Sequence, residues 1–300
     1  MRRLVLLALV GLAAQLVDGS LGMGYGVTSA TLLVAGGLGP AAASAAIHFS
    51  EIGTSLVSGI SHQALGNVDW RTVAILATPG FIGAFAGATF LVSLDGGFAR
   101  LLVASILLLL GGYVTWRFLV PQRLQFKGRP SARFLAPVGL VGGALDAVGG
   151  GGWGPIGTTS MLSSGRLEPR KVVGSVDTAE FVVTIGASLG FLTALGRQGI
   201  DWRIAAALLV GGVIAAPIAA VLVRYLPARI LGVTAGGLIV LTNMRTLGLE
   251  LGMPGMTIAL LASVVFTVWV LWISYAIKLD QAEREGGTDR PGDVVAAKVN

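Results

Sequence analysis

Six ionisable residues, Asp18, His48, Glu51, Asp146, Asp177 and Glu180, stand in or beside stretches otherwise apolar enough to lie in a membrane. Ionisable groups at membrane depth are costly, so each needs a partner or a task. His48 lies three residues before Glu51, one helical turn away, and Asp177 stands in the same relation to Glu180. Carboxyls so placed suit the uptake and release of protons, or serve as polar pins between helices, satisfied by nearby Ser and Thr. The same set also suits a cation: Asp18, Asp146, Glu51 and Glu180 together offer oxygen ligands to Na⁺ or a metal. A third chemistry, an intramembrane aspartyl protease with Asp18 and Asp146 as its dyad, is set aside because both residues simply precede glycine-rich breaks and nothing else indicates a substrate groove.

Those breaks carry the second group of candidates. "LVDGSLGMGYGVTS" (16–29) and "LDAVGGGGWGPIGTTS" (145–160) each interrupt an apolar helix with Asp and Gly. Irregular backbone is tolerated at membrane depth only where protein or a water-filled cavity satisfies it, so the two breaks are expected to face each other inside the protein. Short helices beginning near Val27 and Pro155 would turn unpaired N–H groups and the positive ends of their dipoles toward that point, an arrangement that binds anions. With no Lys or Arg at either break, the candidate ligands are backbone and hydroxyl groups of Gly22, Gly24, Tyr25, Gly26, Thr28 and Ser29, and of Gly151, Gly152, Trp153, Gly154, Thr158 and Thr159. Asp18 and Asp146 have a plainer reading as caps on the turns that follow. Tyr25 and Trp153, equivalent in position, read as gates or as core filling.

The elements that position these groups are helices. The 300 residues are 54% hydrophobic and 12% charged, with a mean hydropathy of +0.82, which marks an integral membrane protein. Apolar runs at about 41–62, 72–93, 99–119, 170–194, 203–224, 229–247 and 255–277 approach the roughly 20 residues a helix needs to cross the hydrocarbon core. Two pairs of shorter runs, 4–17 with 27–38 and 133–147 with 155–165, flank the breaks. Stretches such as "LLVASILLLLGGYV" lack the alternation of a membrane barrel, so the fold class is all-α. The 45 glycines suit close helix packing, as at Gly83-x-x-x-Gly87. Absence of cysteine excludes disulfides, thiolate metal sites and a cysteine nucleophile. With two histidines, a histidine-rich metal site is not expected, nor is any cofactor. Basic residues fall in loops and form no nucleic-acid surface. Residues 1–17 resemble a signal peptide but have an internal counterpart in the second half, so they are expected to remain as a working element.

That counterpart belongs to a repeat. Asp18 matches Asp146, Glu51 matches Glu180, "NVDWR" (67–71) matches "GIDWR" (199–203), and Arg100 matches Arg229. The expected organisation is a first membrane repeat (1–119), a basic cytoplasmic linker (120–132), a second repeat (133–247), an additional transmembrane helix (254–278) and a disordered polar tail (279–300). Each repeat holds a broken or re-entrant helix pair and three spanning helices, so it makes an odd number of crossings and the two halves lie inverted. The balance of Lys and Arg favours linker and C-terminus in the cytoplasm and N-terminus outside, with Arg2 and Arg3 opposing it.

At these residues the chain resembles the TauE/SafE sulfite and organosulfonate exporters, a family of permeases with duplicated halves. "DGSLGMGYGVTSATLL", "ASAAIHFSEIGTSLVSGISH", "GNVDW", "LDAVGGGGWGPIGTTSML", "VGSVDTAEFVV" and "GGVIAAP" carry the likeness, from about residue 4 to 247. The resemblance implies a transporter of the bacterial cytoplasmic membrane that moves small anions such as sulfite or sulfonates outward, driven by the proton gradient. Inverted repeats with discontinuous helices point the same way, to a secondary transporter with its site at the midplane. The expected partners are therefore a small anion, protons and the lipid bilayer.

Overall fold

The computed structural model describes residues 2–21, 23–120, 129–164, 166–167, 169–222 and 228–287. All regular structure among them is helical: α1 (Arg2–Leu21), α2 (Tyr25–Ala35), α3 (Pro40–Ala64), α4 (Trp70–Ser93), α5 (Gly96–Leu119), α6 (Ala132–Gly149), a π-helical turn (Gly154–Thr158) running into α7 (Thr159–Ser163), α8 (Pro169–Leu195), a 3-10 turn (Arg197–Gly199), α9 (Trp202–Leu222), α10 (Ala228–Glu250) and α11 (Gly255–Gly287). Gly22, most of the linker and the end of the tail lie outside the described residues. Among the described helices α4, α5, α6, α8 and α11 contain stretches long and apolar enough to cross a membrane. Large apolar side chains such as Leu109, Met256, Leu260 and Leu271 are exposed, as expected where the solvent is lipid.

The repeated "DW" motifs are helix starts. Asp69 accepts a hydrogen bond from Thr72 N at 3.3 Å, and Asp201 accepts from Arg203 N at 3.1 Å and Ile204 N at 3.3 Å. Both satisfy amides that a first turn leaves free. The following tryptophans tie each start to the element before it, Trp70 Nε1 donating to Gln63 Oε1 in the last turn of α3 at 3.0 Å and Trp202 Nε1 to Arg197 O of the 3-10 turn at 3.2 Å.

Helices of one half pack mainly on helices of the other. α1 lies along α9 and α6 along α4, while α5 pairs with α10 and α3 with α8. Gly83 and Gly87 of α4 press on the α6 backbone, where a Cβ would run into the carbonyls of Leu140 and Ala144. Gly11 of α1 and Gly211 of α9 make the corresponding contact, against Leu208 and Ala8. α11 packs on α10, with Trp269 Nε1 donating to Val233 O at 3.1 Å.

Three boundaries differ from the sequence reading. α1 and α6 extend past the apolar runs, α1 to Leu21, taking in Asp18, and α6 to Gly149. A carboxyl that accepts a hydrogen bond from beyond the break lets the helix carry it to its end. After the second break a π-helical turn precedes α7, so regular α-helix begins later there than in the first half, where α2 starts at Tyr25. Finally, α11 runs to Gly287, into the stretch expected to be tail. Residues 278–285, KLDQAERE, are mostly good helix formers with opposite charges at helical spacing.

Candidate functional site

The two glycine-rich breaks meet inside the protein, backbone against backbone. A Cβ on Gly26 would overlap the Gly150 carbonyl, one on Gly151 would overlap Val27 N, and Gly154 packs on Met23. Glycine is required here for the approach itself. Gly150 also takes the left-handed conformation, with φ of 72°, at the end of α6.

Each break is closed by its own aspartate. Tyr25 N donates to Asp18 Oδ1 at 3.2 Å, and Trp153 N donates to Asp146 Oδ1 at 2.9 Å, both across seven residues. The first amide after each break is therefore held by a carboxyl of the chain. The aromatic residues run parallel too. Trp153, fully buried, donates from Nε1 to Val176 O at 3.0 Å. Tyr25 Oη meets Ser50 Oγ at 3.0 Å, and Ser50 Oγ donates to Ile47 O at 2.7 Å. Ile47 and Val176 are equivalent under the repeat, so the longer indole reaches directly the carbonyl that the phenol reaches through a serine. Both side chains are core and framework. Trp153→Phe, which deletes that donor and part of the ring, is expected to cost about 2 kcal/mol, read as a lower melting temperature with Tyr25→Phe as the comparison; an unchanged melting point would remove Trp153 from the framework.

Beside the breaks lies a narrow polar cleft lined by four carboxyl side chains, Asp18 from α1, Glu51 from α3, and Asp177 and Glu180 from α8, together with Tyr25. Its walls carry Gln15 and the hydroxyls of Thr54, Ser55 and Ser58, and, among the described residues, no Lys or Arg. Ser58 Oγ donates to Asp177 Oδ2 at 3.0 Å and Ser55 Oγ to Glu180 Oε2 at 3.4 Å. His62 Nε2 approaches Asp177 Oδ2 at 3.4 Å. The cleft encloses about 10 Å³, room for about one water, so it must widen to accept an anion of several atoms.

Two of the predicted polar residues go elsewhere. His48 and Asp146 form a sealed pair, Nε2 to Oδ2 at 3.2 Å, and neither lines the cleft. Of the predicted anion ligands among the described residues, only Tyr25 lines it. Thr28, Ser29, Thr158 and Thr159 are buried around the breaks. Thr159 Oγ1 donates to Pro155 O, whereas the hydroxyls of Thr28 and Ser29 are buried without a hydrogen-bond partner.

Comparison with known proteins bears on what such a site serves. Residues 7–246 match the family described as "Sulfite exporter TauE/SafE". The chain belongs to this family. It is also 50% identical over 250 residues, 82% of this chain and 83% of the relative, to the "Probable membrane transporter protein YtnM" of Bacillus subtilis (strain 168). No solved structure matches. Family and relative point to a membrane-embedded transporter and not to an enzyme.

Within this TauE/SafE protein the sequence reading missed Gln15, Thr54, Ser55 and Ser58. A signal existed for three of them: Glu51, Thr54, Ser55 and Ser58 recur at helical spacing on one face of α3. Ser44 was missed as well; its Oγ donates to Ala147 O at 2.6 Å, tying α3 to the end of α6.

Proposed function

We propose that this TauE/SafE-family transporter exports small anions of the sulfite and sulfonate class across the cytoplasmic membrane, with protons held by the cleft carboxyls. The observation that carries this reading is the cleft itself, a narrow polar pocket beside two apposed helix breaks, drawing carboxyls from both halves of the chain and lined, among the described residues, by no Lys or Arg. An anion does not enter a low-dielectric pocket beside four ionised carboxylates. It enters when those groups carry protons, and anion and protons then each raise the affinity for the other, so they cross together and export is favoured by a gradient acid on the cytoplasmic side. Anion affinity therefore rises as pH falls.

The pairing of α1 with α9 and of α6 with α4 supports an inverted repeat, because exchanging the halves turns one pair into the other. In such a transporter the halves rock about a site between them, which is the widening the cleft needs. Linker and C-terminus in the cytoplasm, and N-terminus outside, complete the reading.

The test is flux of labelled sulfite and sulfonates in proteoliposomes, with and without an imposed pH gradient. Sulfite flux that responds to the gradient is the expected result. The acidic lining favours a second reading, a transporter of Na⁺ or a metal; cation flux with no sulfite flux would establish that reading and end the first.

A further inference from the structure

Behind the cleft, Glu51 meets the sealed His48–Asp146 pair. One ligand atom from each of the three residues lies within 4.8 Å of the other two, and all are buried, His48 to 0%, Glu51 to 3% and Asp146 to 2% exposure. Their hydrogen bonding is uneven. Asp146 uses Oδ1 for Trp153 N and Oδ2 for His48, while Glu51 Oε2 is buried with no partner at all. A carboxylate oxygen left bare in the interior costs more than almost any other group.

His48 is oriented from behind. Its Nδ1 lies 2.8 Å from Ser44 O, which can only accept, so Nδ1 carries a hydrogen. The Nε2 lone pair of the neutral ring is thereby aimed at the carboxyls. A backbone carbonyl holding the remote ring nitrogen is the usual outer-shell support of a metal-bound imidazole.

From these contacts we infer that His48, Glu51 and Asp146 form a binding site for a divalent first-row transition-metal ion, which nests between α3 and the end of α6. Two donors on one such ion, each about 2.1 Å from it, stand at most about 4.2 Å apart, so a small rotation of the Glu51 carboxyl closes the set. An imidazole with two carboxylates suits Zn²⁺ or Mn²⁺ better than Na⁺ or Mg²⁺. The ion displaces the proton that otherwise lies between Nε2 and Oδ2, so binding releases a proton and weakens as pH falls. Access is through the cleft, whose wall includes Glu51. The ion is resident in this inference and takes up Glu51, which leaves Asp18, Asp177 and Glu180 as the cleft carboxyls that carry protons; it does not depend on which solute moves.

The experiment uses the full chain in lipid nanodiscs, stripped with a chelator, loaded with Zn²⁺, Mn²⁺ or Mg²⁺, desalted and assayed for metal. Wild type is expected to keep about one Zn²⁺ or Mn²⁺ per chain and no Mg²⁺. His48→Gln and Glu51→Gln should weaken retention by about tenfold or more. His62→Gln, which removes the chain's other histidine, should retain the metal in full. X-ray absorption on the Zn²⁺-loaded wild type should show one imidazole among oxygen ligands, a readout that holds even where a variant folds poorly. Wild type emerging metal-free, retention unaffected by either ligand variant, or a spectrum without imidazole would each overturn the site. Sulfite flux is measured separately, so loss of the metal inference leaves the transport reading standing, and the reverse.

Discussion

Gly151→Ala is expected to destabilise the protein by about 1–3 kcal/mol or more, while Gly112→Ala leaves stability unchanged or raises it by up to about 1 kcal/mol. Both substitutions add one methyl group. At Gly151 that methyl falls on Val27 N and Gly26, the backbone of the opposing break, and a main-chain atom cannot swing aside as a side chain can. At Gly112, within α5, nothing lies within 4 Å of the added carbon. Gly26→Ala, which drives a methyl into the Gly150 carbonyl, should behave as Gly151→Ala does. Thermal unfolding in nanodiscs measures all three. Equal melting temperatures for Gly151→Ala and Gly112→Ala would show that the breaks are not held in contact, and the site built on their apposition would go with them. Because the cleft lies against this contact, the same substitutions should also suppress sulfite flux in whatever protein still folds.

For Glu180→Gln, flux driven by a pH gradient is expected to fall by about 10²-fold or more, the range for losing a positioned proton-transfer group, while sulfite binding persists. Glutamine keeps the side chain's size and an oxygen to accept from Ser55 Oγ, which donates to Glu180 at 3.4 Å. What it loses is the ability to gain and release a proton. Binding is read from the rise in melting temperature with added sulfite, driven flux from proteoliposomes. A variant with normal driven flux would take Glu180 out of the coupling role, and a variant that neither binds nor transports would make it part of the anion's own site.

Much of this protein was legible from local pattern, and the limits of that legibility are physical. The lengths of the apolar runs, the copied "DW" helix starts and the paired glycine breaks are properties of short segments, since a helix is closed by bonds four residues apart and a cap by bonds within one turn. Even the apposition of the breaks follows from a local fact, that interrupted backbone in lipid must find protein or water to satisfy it. The aspartates as caps on the turns that follow were likewise one of the readings the sequence offered, and the structure supplies the capped amides, Tyr25 N and Trp153 N. Which carboxyls share a cleft is different in kind. Asp18 and Asp146 occupy matching places in the two halves, yet one lines the cleft and the other is sealed against His48, from which it stands 98 residues away. Ser58 and Asp177, bonded at 3.0 Å, are 119 residues apart. From the chain alone came the helices, their repetition and the list of groups able to carry charge. Only the packing of α3 against α6, α8 and α9 decided which of those groups meet, because the position where His48 stands in the first half is taken by Asp177 in the second: Asp146 has an imidazole beside its Oδ2, and Asp18, held at Oδ1 by Tyr25 N, lines the narrow cleft with Asp177.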